Sequence, residues 1–390
     1  MNRLHHNGFG AYLVGGSVRD LLLHSMPKDF DVATDARPHQ IQKLFRNSHL
    51  IGRRFRIVHV QFGREIIEVT TFRAKDEDND RLKSKDGMIL QDNIYGNIHQ
   101  DAWRRDFTIN ALYYNIADFS IVDFTGGYED LKNKVIRLIG DPVKRYQEDP
   151  VRMLRAIRFS AKLGFTLDPK TAEPIPKMAH LLKNIPGARL FEEIFKLYHG
   201  GKAEKTHQLL CQYGLFAVLF PMVNATLKEK TADHPLIQHV LENTDHRFSE
   251  QKPIMPAFLL SALLWYPLQK EAETLRKMGV SPLVSLEKAM SEIFYKQNQI
   301  IPIPRKHSQV VREIWICQYR FSRRHGPRPF RFLTHPRFRA AYDFLLIRTL
   351  AGEESIELAQ WWTTFQEADE NTQQKMVRDL NRPTRPSRKK

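Results

Sequence analysis

Residues 12–34, Y-L-V-G-G-S-V-R-D-L-L-L-H-S-M-P-K-D-F-D-V-A-T, decide how the rest of the chain is read. They open on the end of a short apolar run, residues 11–14, that fits a buried strand. Gly15 and Gly16 allow a tight turn of bare backbone amides, and Ser17 is placed to cap a helix expected over 18–24. A strand ending in a glycine turn at a helix N-terminus is a seat for phosphate, because amide dipoles converge there, and Arg19 adds a cation. Pro27 ends the helix. The chain then re-enters an extended segment whose alternation sends Asp29 and Asp31 to one face and Phe30 into the core. Two carboxylates facing a phosphate cradle are what magnesium ions bridging a nucleotide would need. Alone, an Asp-x-Asp is most often a turn or a solvated strand end, and Gly-Gly before a helix is common punctuation. Their succession, with Arg19 and Asp20 between them, is much rarer.

Around this stretch the 390-residue chain is 42% hydrophobic and 27% charged, enough apolar content for a sizeable core and a length suited to two or three domains. A net charge of +16 favours a polyanionic partner. Nucleic acid is the simplest candidate, although an anionic membrane surface would also satisfy the charge. Cys211 and Cys317 stand far apart and outside any Cys-x-x-Cys, so neither a disulfide framework nor a zinc knuckle is indicated. The N-terminus lacks the apolar core of a signal peptide, and the longest apolar run, 254–268, is broken by Pro256 and too short to span a bilayer. A cytoplasmic protein without stable membrane insertion is expected.

Along the chain, 38–45 reads as a short helix and 50–62 as a basic turn feeding an alternating strand. Gly63-Arg64 then turns into a second strand over 65–72. Glu68 lies in mid-strand among Ile67 and Val69. Either its face meets the one bearing Asp29 and Asp31, completing a three-carboxylate cluster, or it is a solvated position no different from Glu65. Residues 75–92 are polar without apolar periodicity and read as a mobile loop. Arg104, Arg105 and Asp106 precede F-T-I-N-A-L-Y-Y, read as a helix with Phe107, Ile109, Ala111 and Leu112 on its apolar face and Asp106 as its cap. Residues 121–127 end the sheet. From Asp149 the chain turns helical, Asp149 capping and Pro150 in the first position. Arg152, Arg155 and Arg158 follow at a spacing of three, as one basic stripe; alone, such a stripe is a solvated face. Helices bounded by Pro169, Pro174, Pro186 and Pro221 continue, and 223–370 keeps a helical period with apolar clusters at 258–265, 310–315 and 340–350. Residues 318–332 interleave cations with Tyr319, Phe321, Phe330 and Phe332. They suit single-stranded RNA or, equally, a helix and loop with buried aromatics. The tail after Asn381 is expected to be disordered and to attract phosphates. No internal repeat is present.

G-G-S-V-R-D-L-L-L and D-F-D, with R-R-D-F-T-I-N (104–110), E-D-P-V-R-M-L-R-A-I-R-F (148–159) and I-P-G-A-R-L-F-E-E (185–193), resemble the motifs of the class II nucleotidyltransferases. That family holds bacterial poly(A) polymerases and CCA-adding tRNA nucleotidyltransferases. The likeness covers the first half of the chain with specific motifs and the rest loosely. L-I-G-R-R-F-R-I-V-H-V (50–60) resembles a signature of the poly(A) polymerase branch, and the basic C-terminal region points the same way.

The resemblance implies an α+β fold. An N-terminal nucleotidyltransferase head with a mixed β-sheet and flanking helices would fill 1–140. An all-α neck would follow over 141–221, with base recognition and RNA binding, then a helical body and C-terminal RNA-binding region over 222–375 and a basic disordered tail over 376–390. Residues 123–140 resemble the flexible connector between head and neck. Relatives carry a helix and leader before the first strand, which implies a start further upstream or a trimmed head. Some CCA-adding relatives carry a metal-dependent phosphohydrolase domain near His234, His239, Asp245 and His246, but the adjacent His-Asp pair it needs is missing, which leaves them surface or core residues.

By the same resemblance Glu68 is the third carboxylate, so that Asp29, Asp31 and Glu68 are catalytic and hold two Mg²⁺ ions. Gly15, Gly16 and Arg19 hold the triphosphate of ATP. Arg105, Asp106 and Asn110 face ribose and triphosphate, where carboxylate and amide can bond a 2′-hydroxyl. Asp149 and Arg152, on the segment that continues to Arg155 and Arg158, serve as an amino-acid template. A carboxylate accepts from adenine N6 and a guanidinium donates towards N1, with no template strand. Arg189 and Glu192 match the last neck motif and would brace the base-reading helix by an ion pair. The expected activity is template-independent addition of AMP from ATP to RNA 3′ ends by a two-metal mechanism, producing poly(A) tails that promote RNA decay, with RNA-decay proteins as further partners. CCA addition, which uses the same Asp149 and Arg152 pair, is the nearest alternative. A noncatalytic RNA-binding protein on the same fold is the other, and the intact carboxylates and base-reading residues argue against it.

Overall fold

Ala11–Val14 (β1), Asp31–Thr34 (β2), Ser48–Ile51 (β3), Ile57–Phe62 (β4), Glu65–Thr71 (β5), Leu112–Asn115 (β6) and Ile121–Asp123 (β7) form one mixed sheet, in the order β3-β4-β5-β2-β1-β6-β7. The β2–β5 pair is parallel and the other pairs are antiparallel. The computed structural model describes residues 1–52, 56–74, 94–227 and 234–380. The chain divides into two compact units, Met1–Ile185, which holds the sheet, and Pro186–Lys390. The loop expected over 75–92 lies outside the described residues; of the disordered tail expected over 376–390, residues 376–380 instead continue the helix Glu370–Leu380, and the rest lies outside the described residues.

Strand alternation gives the sheet two apolar faces. On one, Ala11, Val32, Val58, Val60 and Val69 pack with Leu4, Ile41 and Phe45 from the helices Asn2–His6 and Pro38–Leu44 and the residue after the latter. On the other, Val14, Ala33, Phe72, Ala111 and Tyr113 pack with Ala102 of the helix Ile98–Arg104. His59, Glu68, Asp31, Val14, Tyr113 and Val122 are successive cross-strand partners, a single row over six strands. Asp31 and Glu68 therefore share the face of Val14 and Tyr113.

Several local expectations are corrected. Residues 107–114 are not a helix: a 3₁₀ turn over Thr108–Asn110 leads directly into β6. Phe107, Ile109, Ala111, Leu112 and Tyr113 are all fully buried, and Thr108 and Asn110 between them are buried too, so the segment is enclosed all round and has no solvent-facing side as a helical stripe would. Phe30 is 42% exposed, because strand pairing begins only at Asp31 and the alternation assumed for residue 30 does not extend back to it. The helix after the glycine turn is Gly16–Leu22 and begins before Ser17, whose Oγ donates to the Val14 carbonyl instead of capping. Residues 123–140 are not a loose connector. They include the helix Gly127–Lys132 and the strand Val135–Ile136 (β8), which pairs in parallel with Thr166–Leu167 (β9).

The second unit is helical across its described residues, from Gly187–Tyr198 to Glu370–Leu380. Phe321, Phe332, Phe338, Trp362 and Phe365 form one of its cores, and the Trp362 indole donates to the Phe321 carbonyl at 2.9 Å. Of the aromatics in 318–332, Phe321 and Phe332 are thus core residues, and Phe330 packs against the same cluster. Arg320, Arg323, Arg328 and Arg331 remain exposed. Asp245 caps the helix Ala203–Gln212 by accepting from the backbone N–H groups of Ala203 and Glu204, and His239 and His246 pair with Glu242 and Glu250. No helix among the described residues is long and apolar enough to cross a membrane.

Gly127 packs so closely on the 3₁₀ turn Thr108–Asn110 that an added Cβ would clash with the Thr108 carbonyl oxygen, a backbone atom with no freedom to move aside. Gly127→Ala is expected to destabilise the first unit by about 3 kcal/mol, the upper range for overpacking. A urea melt followed by near-ultraviolet circular dichroism checks this, an unchanged midpoint contradicting it.

Candidate active site

Asp31 and Glu68 lie side by side because β2 and β5 are parallel and in register at these two residues, and Asp29 precedes Asp31 by two positions. Burial raises the Asp31 carboxyl above its ordinary range; the Glu68 charge adds to this, Arg105 opposes it, and Asp29 adds again. Glu68 keeps 45% of its side chain exposed, with His59 Nε2 at 3.3 Å from its Oε1. Hard carboxylate oxygens under mutual repulsion fit magnesium, which would relieve that repulsion. As they stand, no three His, Cys, Asp or Glu side chains among the described residues are gathered closely enough to enclose an ion.

The turn after β1 is held by Gly15 at φ +78°, a left-handed conformation that suits glycine. A Cβ there would stand 3.5 Å from Arg105 Nη1 and 3.7 Å from the Asn110 carbonyl, so both residues border the turn. Arg105 is anchored by donating Nε to Tyr113 at 2.9 Å and Nη2 to Asp101 at 3.0 Å, while Tyr113 donates its hydroxyl to Asp101 at 2.7 Å. Burial works against the Arg105 charge, but Asp101 and Tyr113 outweigh it and hold the guanidinium protonated. Gly16 lies over Arg19, 3.5 Å separating its would-be Cβ from Arg19 Nη2.

Beneath the turn, a polar relay links the sheet to the next helix. Arg19, 3% exposed, donates to Asp20 at 2.8 Å and to Asn110 Oδ1 at 2.6 Å. Asn110 donates its amide to Asp106 Oδ1, which also accepts from the Phe107 N–H. Asp106 Oδ2 accepts from Nε and Nη2 of Arg155. A carboxylate has about four acceptor sites, and Asp106 already uses four, so its capacity for a ribose hydroxyl is taken up in this arrangement. Burial acts to raise the Asp106 carboxyl, but Arg155, Asn110 and the Phe107 N–H together hold it down at about 2. The guanidiniums of Arg158, Arg19 and Arg155 surround the Phe159 ring at 4.9, 5.2 and 5.5 Å, and that ring stands edge-on to Phe107.

The helix that follows spans Val151–Leu163, with Pro150 at its N-cap and Asp149 accepting from the Val151 N–H at 3.3 Å. Asp149 also ends the preceding helix, Pro142–Glu148, which the sequence reading overlooked although Asp141-Pro142 is a start signal. That helix supplies two further residues. Arg152 Nη1 donates to the Arg145 carbonyl at 2.6 Å and to Glu148 Oε2 at 3.1 Å; Arg145 Nη1 donates to the same Glu148 oxygen at 2.8 Å. The Arg152–Arg155–Arg158 stripe is therefore no plain solvated face: Arg152 and Arg155 are engaged in different interior bonds, and Arg158 lies against Phe159. Of the sequence-selected residues, Asp31 and Glu68 meet on the sheet; Gly15, Gly16, Arg19, Arg105 and Asn110 meet at the turn; and Asp106 and Arg155 join the turn to the helix carrying Arg152 and Arg158. Asp101 and Tyr113, also overlooked, carry a usable signal in the four-residue spacing of Asp101 and Arg105.

Three family models match: the poly A polymerase head domain over 11–137, the probable RNA and SrmB-binding site of polymerase A over 164–227, and the polymerase A arginine-rich C-terminus over 278–390. Poly(A) polymerase I of Escherichia coli O157:H7 is 48% identical over 400 residues, covering 100% of this chain and 86% of that relative. The chain belongs to the poly(A) polymerase family of class II nucleotidyltransferases. The CCA-adding enzyme of Lactobacillus helveticus is 42% identical, over 54% of this chain and 51% of its own length. Among solved structures, the Bacillus stearothermophilus CCA-adding enzyme in complex with CTP superposes with a TM-score of 0.58 at 26% identity, over 97% of this chain and 79% of its own. Family membership thus extends over both units, whereas the likeness in sequence to the Lactobacillus CCA-adding enzyme covers about half of the chain.

Two carboxyls of this site shift in opposite directions, with opposite consequences for stability. The raised Asp31 favours folding below pH 3.8 and loses that contribution as pH rises through its folded pKa, so Asp31→Asn should raise the melting temperature at pH 7 and not at pH 3. The depressed Asp106 contributes about 2 kcal/mol above pH 3.8, lost as pH falls towards about 2, so Asp106→Asn should lower the melting temperature at pH 7 and progressively less below pH 3.8. Melts of the two variants across this pH range check both signs.

Proposed function

We propose that this protein is a template-independent polynucleotide adenylyltransferase, transferring AMP from ATP to RNA 3′ ends and so building poly(A) tails that mark RNA for decay. The observation that carries the reading is the register of β2 on β5: it sets Asp31 beside Glu68, next to a glycine turn that the Asn110–Asp106–Arg155 relay ties to the helix bearing Arg152. Asp29, Asp31 and Glu68 would hold two Mg²⁺ ions, which when bound activate the primer hydroxyl and stabilise the leaving pyrophosphate. The Gly15 N–H is held by the Leu112 carbonyl, so the Gly16 amide at the start of the helix takes a triphosphate oxygen, and Arg105, whose Nη1 borders the turn, adds the cation. Arg19, buried below, holds Asn110 in place from beneath. Asp149 and Arg152 offer an acceptor and a donor to the N6 and N1 edge of adenine, while Asp106, Arg155 and Arg158 fix the helix from which they project. The exposed Arg320, Arg323, Arg328 and Arg331 suit the RNA backbone.

The 3′-hydroxyl oxygen bonds to the α-phosphorus of ATP, the bond to the β-phosphate oxygen breaks, and pyrophosphate departs. CCA addition uses the same groups. Poly(A) addition is favoured because the 48% identity to poly(A) polymerase I runs through the whole chain.

With Mg²⁺ and an unstructured RNA primer, ATP alone should produce a long ladder, and CTP alone should produce little. Asp29→Ala and Asp31→Ala should each lower the rate by at least about a thousandfold while leaving the circular dichroism spectrum unchanged. Addition that stops after C-C-A on a trimmed tRNA, or full activity in folded Asp31→Ala, would overturn the assignment.

A further inference from the structure

Arg145 is 4% exposed, yet its bonds run to three separate places. Nη2 donates to the carbonyls of Arg104 at 2.7 Å and Arg105 at 2.5 Å, forty residues away in sequence. Nη1 donates to Glu148 Oε2 at 2.8 Å, and the Arg145 carbonyl itself accepts from Arg152 Nη1 at 2.6 Å. Glu148 Oε2 is shared, accepting from Arg145 and from Arg152 at once. The guanidinium of Arg145 therefore spans from the Arg104 and Arg105 carbonyls to Glu148, which, with the Arg145 carbonyl, is one of the two acceptors of Arg152.

We propose that Arg145 is a positioning residue that sets base selectivity, by holding Arg152 in fixed register with the Arg104–Arg105 backbone. The inference rests on the function proposed above and deepens it. None of these bonds reaches the sheet carboxylates, and Arg105, whose carbonyl Arg145 also holds, faces the triphosphate that all nucleotides share, so the effect of Arg145 on the choice between nucleotides runs through Arg152.

The physical consequence of removing it is directional. Without the Arg145 guanidinium, the partly buried carbonyls of Arg104 and Arg105 lose a charged donor, and Glu148 Oε2 loses one of the cations that share it. The Glu148 oxygen that the two guanidiniums share is then left more fully to Arg152 and draws that guanidinium towards itself, away from the base. The Asp106–Arg155 bond still attaches the helix Val151–Leu163, so the helix stays in place while the donor that it presents shifts. A displaced donor cannot distinguish adenine N1 from the corresponding edge of another base, and selectivity falls more than the rate of transfer.

The test is a competition: ATP and CTP are mixed with wild-type, Arg145→Met and Glu148→Gln proteins on one RNA primer, and the ratio of A to C incorporated is read by sequencing. A ratio from one tube does not depend on how much of a variant is folded, which separates selectivity from stability. Wild type should favour ATP strongly. Arg145→Met should lower that preference by about 10- to 100-fold, the span of one charge-assisted hydrogen bond. Glu148→Gln, which takes away the negative charge that ties the two guanidiniums together, should lower it in the same direction. Arg145→Lys, which keeps the charge but not the fork that reaches two carbonyls and Glu148 together, should restore it only in part. An unchanged ratio in both Arg145→Met and Glu148→Gln would overturn the proposal while leaving the adenylyltransferase reading intact. Incorporation of neither nucleotide by the wild type would instead overturn that reading, and this inference with it.

Discussion

A largely buried carboxylate at Asp106 ties the glycine turn of the first unit to the helix Val151–Leu163. It accepts from Arg155 on the helix Val151–Leu163, from the Asn110 amide, and from the N–H of its own neighbour Phe107, and Asn110 passes the connection on to Arg19. A charge in such a place is tolerated only when it is fully paired, and removing one partner typically costs about 3–5 kcal/mol. The arrangement explains why guanidiniums cluster so densely here: Arg19, Arg155 and Arg158 are spaced around one carboxylate, one amide and the face of Phe159.

Reading a base with no template strand demands that the protein's own donors and acceptors stand in fixed places before the nucleotide arrives. Every ordering step postponed until binding is subtracted from affinity, and it is subtracted equally for right and wrong bases. The relay through Asp106 and the Arg145–Glu148–Arg152 group meet this demand from two sides. One bolts the helix to the glycine turn, and the other fixes a single guanidinium at its first turn. Under the proposed function, selectivity would come from where Arg152 points, and catalysis from the register of two strands that share none of those bonds.

Much of this was legible in the sequence, for reasons that differ from residue to residue. For Glu68, strand parity fixed one face but left open whether that face met Asp31; the family resemblance named it, and the parallel register of β2 on β5, which no local pattern shows, brings the two side by side. The glycine turn declared itself by residue type. The segment 107–114 was misread because the spacing of Phe107, Ile109, Ala111 and Leu112 fits a helical face as well as a buried turn leading into a strand, and so short a stretch does not separate the two. Arg145 was invisible for another reason. Its partners are two backbone carbonyls, and a carbonyl has no side-chain signature by which sequence could find it. The aromatics of 318–332 could have faced RNA or the core; Phe321 and Phe332 went inward because Trp362 and Phe338 complete their packing, a match across forty residues that no local pattern shows.

The central claim is that the base-reading surface is formed by the protein alone, before RNA binds. The most direct measurement is calorimetric titration of the RNA-free protein with non-hydrolysable analogues of ATP, CTP, GTP and UTP in the presence of Mg²⁺. The account predicts that the ATP analogue binds at least about tenfold more tightly than the other three. Equal affinity for all four would mean that selection depends on RNA, and would contradict it.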